Sequence, residues 1–128
     1  MKRSGIKRDA LDKLFSLYIR TRDAWTCQRC HTFYQMGSQG LHCSHFIGRR
    51  NRAVRWDPDN ACAHCYGCHR FLEGNPIEFG DWIQNYLGQE RYLALRKRAI
   101  IIPRLRKVEL QEIYDNLKAK LAEIERAA

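Results

Sequence analysis

The sequence predicts a small α+β fold in which helices flank a cysteine-rich centre. The chain has 128 residues, a length typical of one domain. Apolar residues recur at helical spacing on both sides of the centre. Within it, two Cys-x-x-Cys pairs are separated by 34 residues, and the short mixed segment 41–47 between them is typical of a strand.

The first helix is predicted over residues 9–22. Its apolar side chains share one face at helical spacing, and Asp9 is a candidate cap. These apolar residues are Leu11, Leu14, Phe15, Tyr18 and Ile19. Residues 1–8 precede the helix as a basic arm that we expect to be mobile.

Turn and stop signals order the rest of the chain. Residues 57–60 form a turn signal that can lead into a helix, whose body would be residues 65–72. Gly74, Asn75 and Pro76 would end that helix. Two further helices are predicted at about 78–87 and 90–98.

The segment after Pro103 is predicted to form an amphipathic helix. Its apolar residues alternate at spacings of four and three, which is a heptad pattern. They are Leu110, Tyr114, Leu117, Leu121 and Ile124. The favoured interpretation is a helix that packs on its own domain, and the alternative is a homodimer through residues 108–126.

The six cysteines favour metal binding over disulfides, because no apolar segment follows the basic N-terminus as a secretory signal would require. Two Cys-x-x-Cys pairs supply four thiolates for a closed tetrahedral site. We therefore expect a structural Zn²⁺ on Cys27, Cys30, Cys65 and Cys68. Cys62 forms an overlapping Cys-x-x-Cys with Cys65 and is the alternative to Cys68.

Positive charge is concentrated in the half that holds the cysteines. The chain has a net charge of +9, of which residues 1–70 contribute +8. A polyanion, most simply nucleic acid, is the expected partner. The candidate phosphate contacts are four arginines within seven residues, Arg49, Arg50, Arg52 and Arg55. Trp56 beside them is expected to be a buried anchor. No apolar run is long enough to span a membrane, so we expect a cytoplasmic protein.

His45, Asn60 and His69 stand in an order that resembles the HNH, or ββα-metal, nucleases. His69 directly follows the second Cys-x-x-Cys pair, as in the zinc-stabilised members of that group, and the resemblance covers residues 27–72. It implies a ββα-metal, treble-clef-like centre that hydrolyses phosphodiester bonds in DNA. His45 would be the general base, Asn60 would hold the loop and orient His45, and His69 would bind the catalytic metal.

A closer resemblance is to the phage NinG/Rap recombination endonucleases. It rests on the H-x-x-H-aromatic element at 41–46, the helix at 14–23, and the segments 74–75 and 88–91. It spans about residues 9–95 and leaves out the last helix. The resemblance implies cutting of branched recombination intermediates, such as Holliday junctions, in a bacterial host or a phage-infected cell.

The pattern leaves the second ligand of the catalytic metal open. Ser44, directly before the base, is a poor ligand. His42 is the natural substitute, but strand alternation puts it on the face opposite His45, so we expect a bulge or bend. Glu73 is a further candidate because it lies four residues after His69. Two protein ligands plus waters suit Mg²⁺ or Mn²⁺, with Ni²⁺ or Zn²⁺ as alternatives.

Three parts are therefore predicted: a basic arm at 1–8, a zinc-containing HNH-like nuclease domain at 9–102, and the C-terminal helix at 103–128. Cys43 is expected in the core, and His31 and His64 at the surface or in the Cys-x-x-Cys turns. Three other functions fit the same residues: an HNH nuclease of restriction or packaging type acting on duplex DNA, a zinc module that grips DNA without cutting it, and an RNA-binding zinc protein.

Overall fold

The computed structural model describes residues 7–128, which form five α-helices and a two-stranded antiparallel sheet. The α+β class is thereby confirmed. In chain order the elements are α1 (Arg8–Arg22), β1 (Leu41–His45), β2 (Ala61–Cys65), α2 (Tyr66–Glu73), α3 (Pro76–Leu87), α4 (Gln89–Ala99) and α5 (Lys107–Ala127). Of the arm predicted at 1–8, residues 1–6 lie outside the described part, and Arg8 already belongs to α1.

Helix α1 buries the face that its apolar spacing predicts. Leu11, Phe15 and Ile19 are almost completely buried. The predicted cap at Asp9 is wrong, because the residue before the helix is Lys7 and Asp9 lies inside the first turn. An acidic side chain there still interacts favourably with the positive end of the helix dipole.

The end of α1 is tied to the sheet by polar contacts. The Asp23 carboxylate accepts a hydrogen bond from the Ala63 backbone N–H at 2.8 Å. The Arg22 guanidinium donates to the carbonyl oxygens of Pro58 and Ala61 at 2.7 and 2.9 Å. These bonds fix α1 against β2 before the first Cys-x-x-Cys turn begins.

Strand β2 was not predicted from the residue pattern. The turn at 57–60 forms one turn of 3-10 helix over Pro58–Asn60, in which the Asp57 side chain accepts from the Asp59 N–H, and a strand follows it rather than a helix. All five residues of β2 are buried, because Ala61 packs towards α1 while Cys62 packs towards α3 and α4. A strand covered on both faces lacks the alternation that marks a half-exposed one.

Helix α5 packs on α1 of the same chain. Leu110, Leu117 and Leu121 are buried in one cluster with Phe15 and Ile19, and the remaining heptad residues pack against that cluster. The favoured interpretation of the heptad pattern is thus confirmed. The homodimer through residues 108–126 stays a prediction, and so does the division at residue 102. None of the helices within residues 7–128 is long and apolar enough to cross a membrane.

Candidate active site

The four predicted zinc ligands converge at the junction of the first Cys-x-x-Cys turn, β2 and α2. The Sγ atoms of Cys27, Cys30, Cys65 and Cys68 all lie within 4.8 Å of one another. Those of Cys30 and Cys65 are 3.8 Å apart. A tetrahedral site with Zn–S bonds of about 2.3 Å requires Sγ atoms about 3.8 Å apart, so the four residues fit a structural zinc ion.

Hydrogen bonds reach all four of these sulfur atoms, and burial raises the pKa of Cys68. The backbone N–H groups of Cys30 and Cys68 donate to the Sγ atoms of Cys27 and Cys65. Hydrogen bonds with Thr32 lower the pKa of Cys30 to about 6. Cys62 lies outside this group and is buried beside α3 and α4, where burial raises its pKa. The cluster therefore contains Cys68 rather than Cys62.

His45 lies at the end of β1 with one ring nitrogen already engaged. Its Nε2 is 2.8 Å from the Arg55 carbonyl oxygen. Because a carbonyl only accepts hydrogen bonds, Nε2 carries the proton and Nδ1 keeps the lone pair. Burial, against Phe15 on one side, lowers the pKa of His45, so the imidazole is neutral at pH 7.

Asn60 closes the loop that holds the Arg55 carbonyl. It is completely buried. Its amide oxygen accepts from the Ile47 N–H at 2.8 Å, and its amide nitrogen donates to the carbonyl oxygens of Ile47 and Val54 at 2.8 and 3.0 Å. Both ends of the loop are thus pinned to one side chain. Asn60 acts on His45 through this loop and does not contact the ring itself.

His42 of β1 and His69 of α2 lie side by side. Their Nδ1 atoms are 3.0 Å apart. Two ligand atoms at about 2.1 Å from a metal ion and at right angles to each other lie about 3.0 Å apart, which suits octahedral coordination. Burial lowers the pKa of His69, which keeps the lone pair of one ring nitrogen available near pH 7.

Glu73 lies on the other side of the His69 ring. Its carboxylate is 3.4 Å from His69 Nε2, whereas His42 faces Nδ1. One ion between the two Nδ1 atoms is therefore out of line with this carboxylate. A carboxylate on the distal nitrogen is the usual partner that fixes the orientation of a metal-binding histidine.

The bulge expected between His42 and His45 is absent. Strand β1 pairs with β2 in unbroken register from Leu41 opposite Cys65 to His45 opposite Ala61. Both histidines nevertheless line the same cavity, although the register of the strand is unbroken. Ser44 is buried and so cannot replace either histidine as a ligand.

The groove consists of two adjoining cavities that share Cys43, His45 and Arg49. One cavity, of about 460 Å³, is also lined by His69 and Glu73. The other, of about 370 Å³, is also lined by His42 and by Asp12 of α1. Cys43 is only half-buried and lies at the floor between them, so it belongs to the core and to the groove at once.

The four arginines of the basic loop fall into two groups. Arg55 is largely buried: its guanidinium bonds the Asp12 carboxylate at 2.5 Å and lies over the Trp56 ring. Arg49 is exposed at the groove and also contacts Asp12. Arg50 and Arg52 are exposed, and within residues 7–128 neither forms an ion pair. Trp56 is the expected buried anchor.

Sequence reasoning missed Asp12. Its carboxylate also accepts a hydrogen bond from Trp56 Nε1 at 2.8 Å. Burial opposes its ionisation, but the bonds from Arg55 and Trp56 outweigh that effect and lower its pKa. The sequence shows only an acidic residue in the basic half of the chain. Its partners could not be predicted, because they are 37 to 44 residues away in the sequence.

His64 was wrongly placed at the surface or in a Cys-x-x-Cys turn. Its ring is completely buried between Phe79 and Trp82, with centroid distances of 5.9 and 4.7 Å. Burial lowers its pKa to about 3. His31, by contrast, is exposed, as expected. It lies in the first Cys-x-x-Cys turn, which an isolated β-bridge between Thr26 and Phe33 closes.

Comparison with known protein families gives one match. The family model described as Bacteriophage Lambda NinG protein matches residues 1–127. The chain belongs to the NinG family. The NinG match extends through α5, which the resemblance at residues 9–95 had left out. No curated protein and no solved structure matches the chain.

Proposed function

We propose that this NinG-family protein is a metal-dependent DNA endonuclease of the HNH type that acts on branched DNA in phage recombination. The observation that carries the proposal is the state of His45. Its Nε2–H donates to the Arg55 carbonyl, so the unprotonated Nδ1 is left to accept a proton. His45 and His69 line the same groove. A base with a lowered pKa beside a pair of metal-binding side chains suits phosphodiester hydrolysis.

Each side chain has a separate task in this proposal. His45 takes the proton from an attacking water at Nδ1 and passes it to solvent. Asn60 keeps the Arg55 carbonyl against Nε2, so that the ring holds the required tautomer. His42 and His69 would hold a divalent ion, which would supply Lewis-acid stabilisation of the negative charge that develops on the phosphate and the leaving oxygen.

The exposed arginines would place the substrate phosphates. Arg49 lines both cavities of the groove, and Arg50 and Arg52 follow it on the same exposed loop. Guanidinium groups bind phosphates in bidentate fashion and read no base sequence. Recognition of backbone and shape is the expected mode. The branched substrate and the recombination role come from the family resemblance, whereas the groove supports the hydrolysis.

His45→Ala tests the proposal. Wild type, His45→Ala and the control His31→Asn are each mixed with a labelled four-way junction and with its linear duplex, with Mg²⁺, with Mn²⁺ or with no divalent metal added. We expect metal-dependent cutting by wild type and His31→Asn, and a rate about 10²- to 10⁴-fold lower for His45→Ala. Asparagine is chosen for position 31 because His31 has a positive φ of 64°.

Binding separates the outcomes. His45→Ala should bind the junction with an affinity within about twofold of wild type, because His45 makes no net charge contribution at pH 7. Full cutting by His45→Ala removes His45 from the role of base. Binding by wild type with no cutting in any metal identifies a zinc module that grips DNA.

A further inference from the structure

Three consecutive isoleucines lie exposed in the connection between α4 and α5. Ile100, Ile101 and Ile102 are 84, 61 and 93% exposed. Isolated apolar residues on a surface are ordinary, but a contiguous exposed group marks an interaction site. We call these three residues the isoleucine segment.

The isoleucine segment is held in place at both ends. The Ile101 N–H bonds the Arg98 carbonyl at 3.2 Å. On the far side Leu105 packs against the cluster that joins α1 and α5. These contacts fix the backbone of the segment at both ends, so the three side chains are exposed on an ordered part of the surface.

The segment adjoins the basic loop of the proposed active site. Asn51 of that loop donates a hydrogen bond to the Ala99 carbonyl at 2.9 Å, directly before the segment. Pro103, directly after it, shares a small cavity with Arg52 and Trp56. The same loop carries Arg50 and supplies the carbonyl that holds His45. One surface thus runs from the groove, across the arginines, to the isoleucines.

Charge identifies the kind of partner that this surface fits. Residues 96–107 hold six basic residues and no acidic one. Of the six, Arg98 pairs with Asp57 and Asp59, and Arg106 pairs with Glu109. Arg96 and Lys97 are exposed before the segment, and Arg104 is exposed after it. Apolar side chains flanked by cations are what proteins use to enter an interrupted base stack while gripping the phosphates on either side. The flanking cations would have no role in binding an apolar protein partner or a second copy of this chain.

We propose that the isoleucine segment contacts the faces of bases where the DNA stack is interrupted, as at a branch point. The proposal rests on the proposed function for its DNA substrate and adds the feature that distinguishes branched from linear DNA. It assigns branch preference to residues 100–102, while the arginines bind either kind of DNA.

The test uses 2-aminopurine, a base whose fluorescence rises when it is unstacked. It is placed at the branch of a four-way junction or at the centre of the linear duplex, and full-length zinc-loaded protein is added without Mg²⁺ or Mn²⁺. The variants are Ile102→Ser and the triple variant Ile100→Ser/Ile101→Ser/Ile102→Ser. Ile102→Leu keeps the apolar character, and Ile77→Ser, an 82% exposed isoleucine on α3, is the matched control. Thermal melting checks that every variant is folded.

For wild type, Ile102→Leu and Ile77→Ser we expect a rise in fluorescence at the branch and tighter binding of the junction than of the duplex. The triple variant should lose the rise and bind the junction about tenfold more weakly, with duplex affinity unchanged. A junction preference that survives in the folded triple variant overturns the proposal. A wild type that is dimeric and a triple variant that is monomeric also overturn it, because the isoleucines then bind a second copy of the chain. If the wild-type protein unstacks the branch but never cuts DNA, the proposed nuclease activity is contradicted and the proposal for the isoleucine segment stands.

Discussion

At the scale of single residues, the proposed metal site distinguishes a metal ligand, His42, from a residue that orients a ligand, Glu73. His42 and Glu73 face different nitrogens of His69, so they should differ in effect. Glu73→Gln removes a charge that acts through His69, and we expect the Mn²⁺ concentration for half-maximal cutting to rise about 10- to 100-fold. His42→Ala removes one of two protein ligands and should raise it further. Metal titrations of both variants measure this, with Glu78→Gln as the exposed acidic control.

The order of the two effects is the decisive result. A loss with Glu73→Gln as large as that with His42→Ala would make Glu73 a direct ligand, which requires its carboxylate to leave His69 Nε2. A Glu73→Gln variant with the metal requirement of wild type would mean that the exposed carboxylate neither binds the metal nor orients the ring.

The pH dependence of cutting follows from the environment of His45. Burial lowers its pKa below the usual 6.5. Only the neutral ring accepts a proton, so kcat should be flat at neutral pH and fall as the pH drops through this lowered value. Measurement at saturating Mn²⁺ removes the competition of protons for His69, whose pKa is also lowered. An acid limb centred above pH 6.5 would contradict the assignment of the base.

At the scale of elements, the four-cysteine cluster brings the first Cys-x-x-Cys turn against β2 and α2, and a zinc ion bound there would hold them together. Cys30→Ser should abolish zinc binding and lower the melting temperature by at least roughly 10 °C, because metal binding contributes to folding directly. Cys62→Ala is the matched control: its thiol lies outside the cluster, so about one zinc per chain should remain. Zinc content and thermal melting measure both. Zinc lost from Cys62→Ala would reverse the choice of Cys68 over Cys62 as a ligand, and zinc kept by Cys30→Ser would contradict the cluster itself.

The elements differ in how far their sequence foretold them. Helices α1 and α5 each bury one face, so apolar spacing locates them within a few residues. Strand β2 is buried on both faces, so its sequence lacks the alternation that marks a half-exposed strand, and only the family resemblance implied a second strand. The stop predicted at Gly74, Asn75 and Pro76 is confirmed, because α2 ends at Glu73 with Gly74 as its C-cap. Pro76 is also the first residue of α3, two residues before the predicted start, in a position where its missing N–H costs nothing.

The candidate site was foreseeable where its residues follow a motif. The order of His45, Asn60 and His69 pointed to the groove, and the cysteine spacing pointed to the zinc cluster. The Asp12–Arg55 ion pair was not foreseeable, because it joins residues 43 positions apart through the packing of α1 on the basic loop. Neither was the position of Glu73 relative to the two nitrogens of His69, since helical spacing fixes a face but not a side-chain direction.

At the scale of the whole molecule, the excess positive charge is only partly available to DNA. Asp12 on α1 neutralises Arg55 and contacts Arg49, and Asp57 and Asp59 hold Arg98. Within the basic loop, Arg50 and Arg52 are therefore the arginines whose charge no described acidic residue pairs. Chain packing thus decides which cations of the basic loop face a phosphate and which support the loop itself.

Salt dependence tests this division. Each phosphate contact contributes about 0.9 to the slope of log K against log salt concentration, so Arg50→Gln/Arg52→Gln should reduce the magnitude of that slope by about 2. Arg55→Gln should leave the slope unchanged and instead lower the free energy of unfolding by about 2 kcal/mol, because Asp12 loses its closest partner. Fluorescence anisotropy over a range of KCl concentrations and urea unfolding measure the two effects. A slope reduced as much by Arg55→Gln would mean that DNA binding opens the ion pair with Asp12 and releases Arg55 to the phosphates.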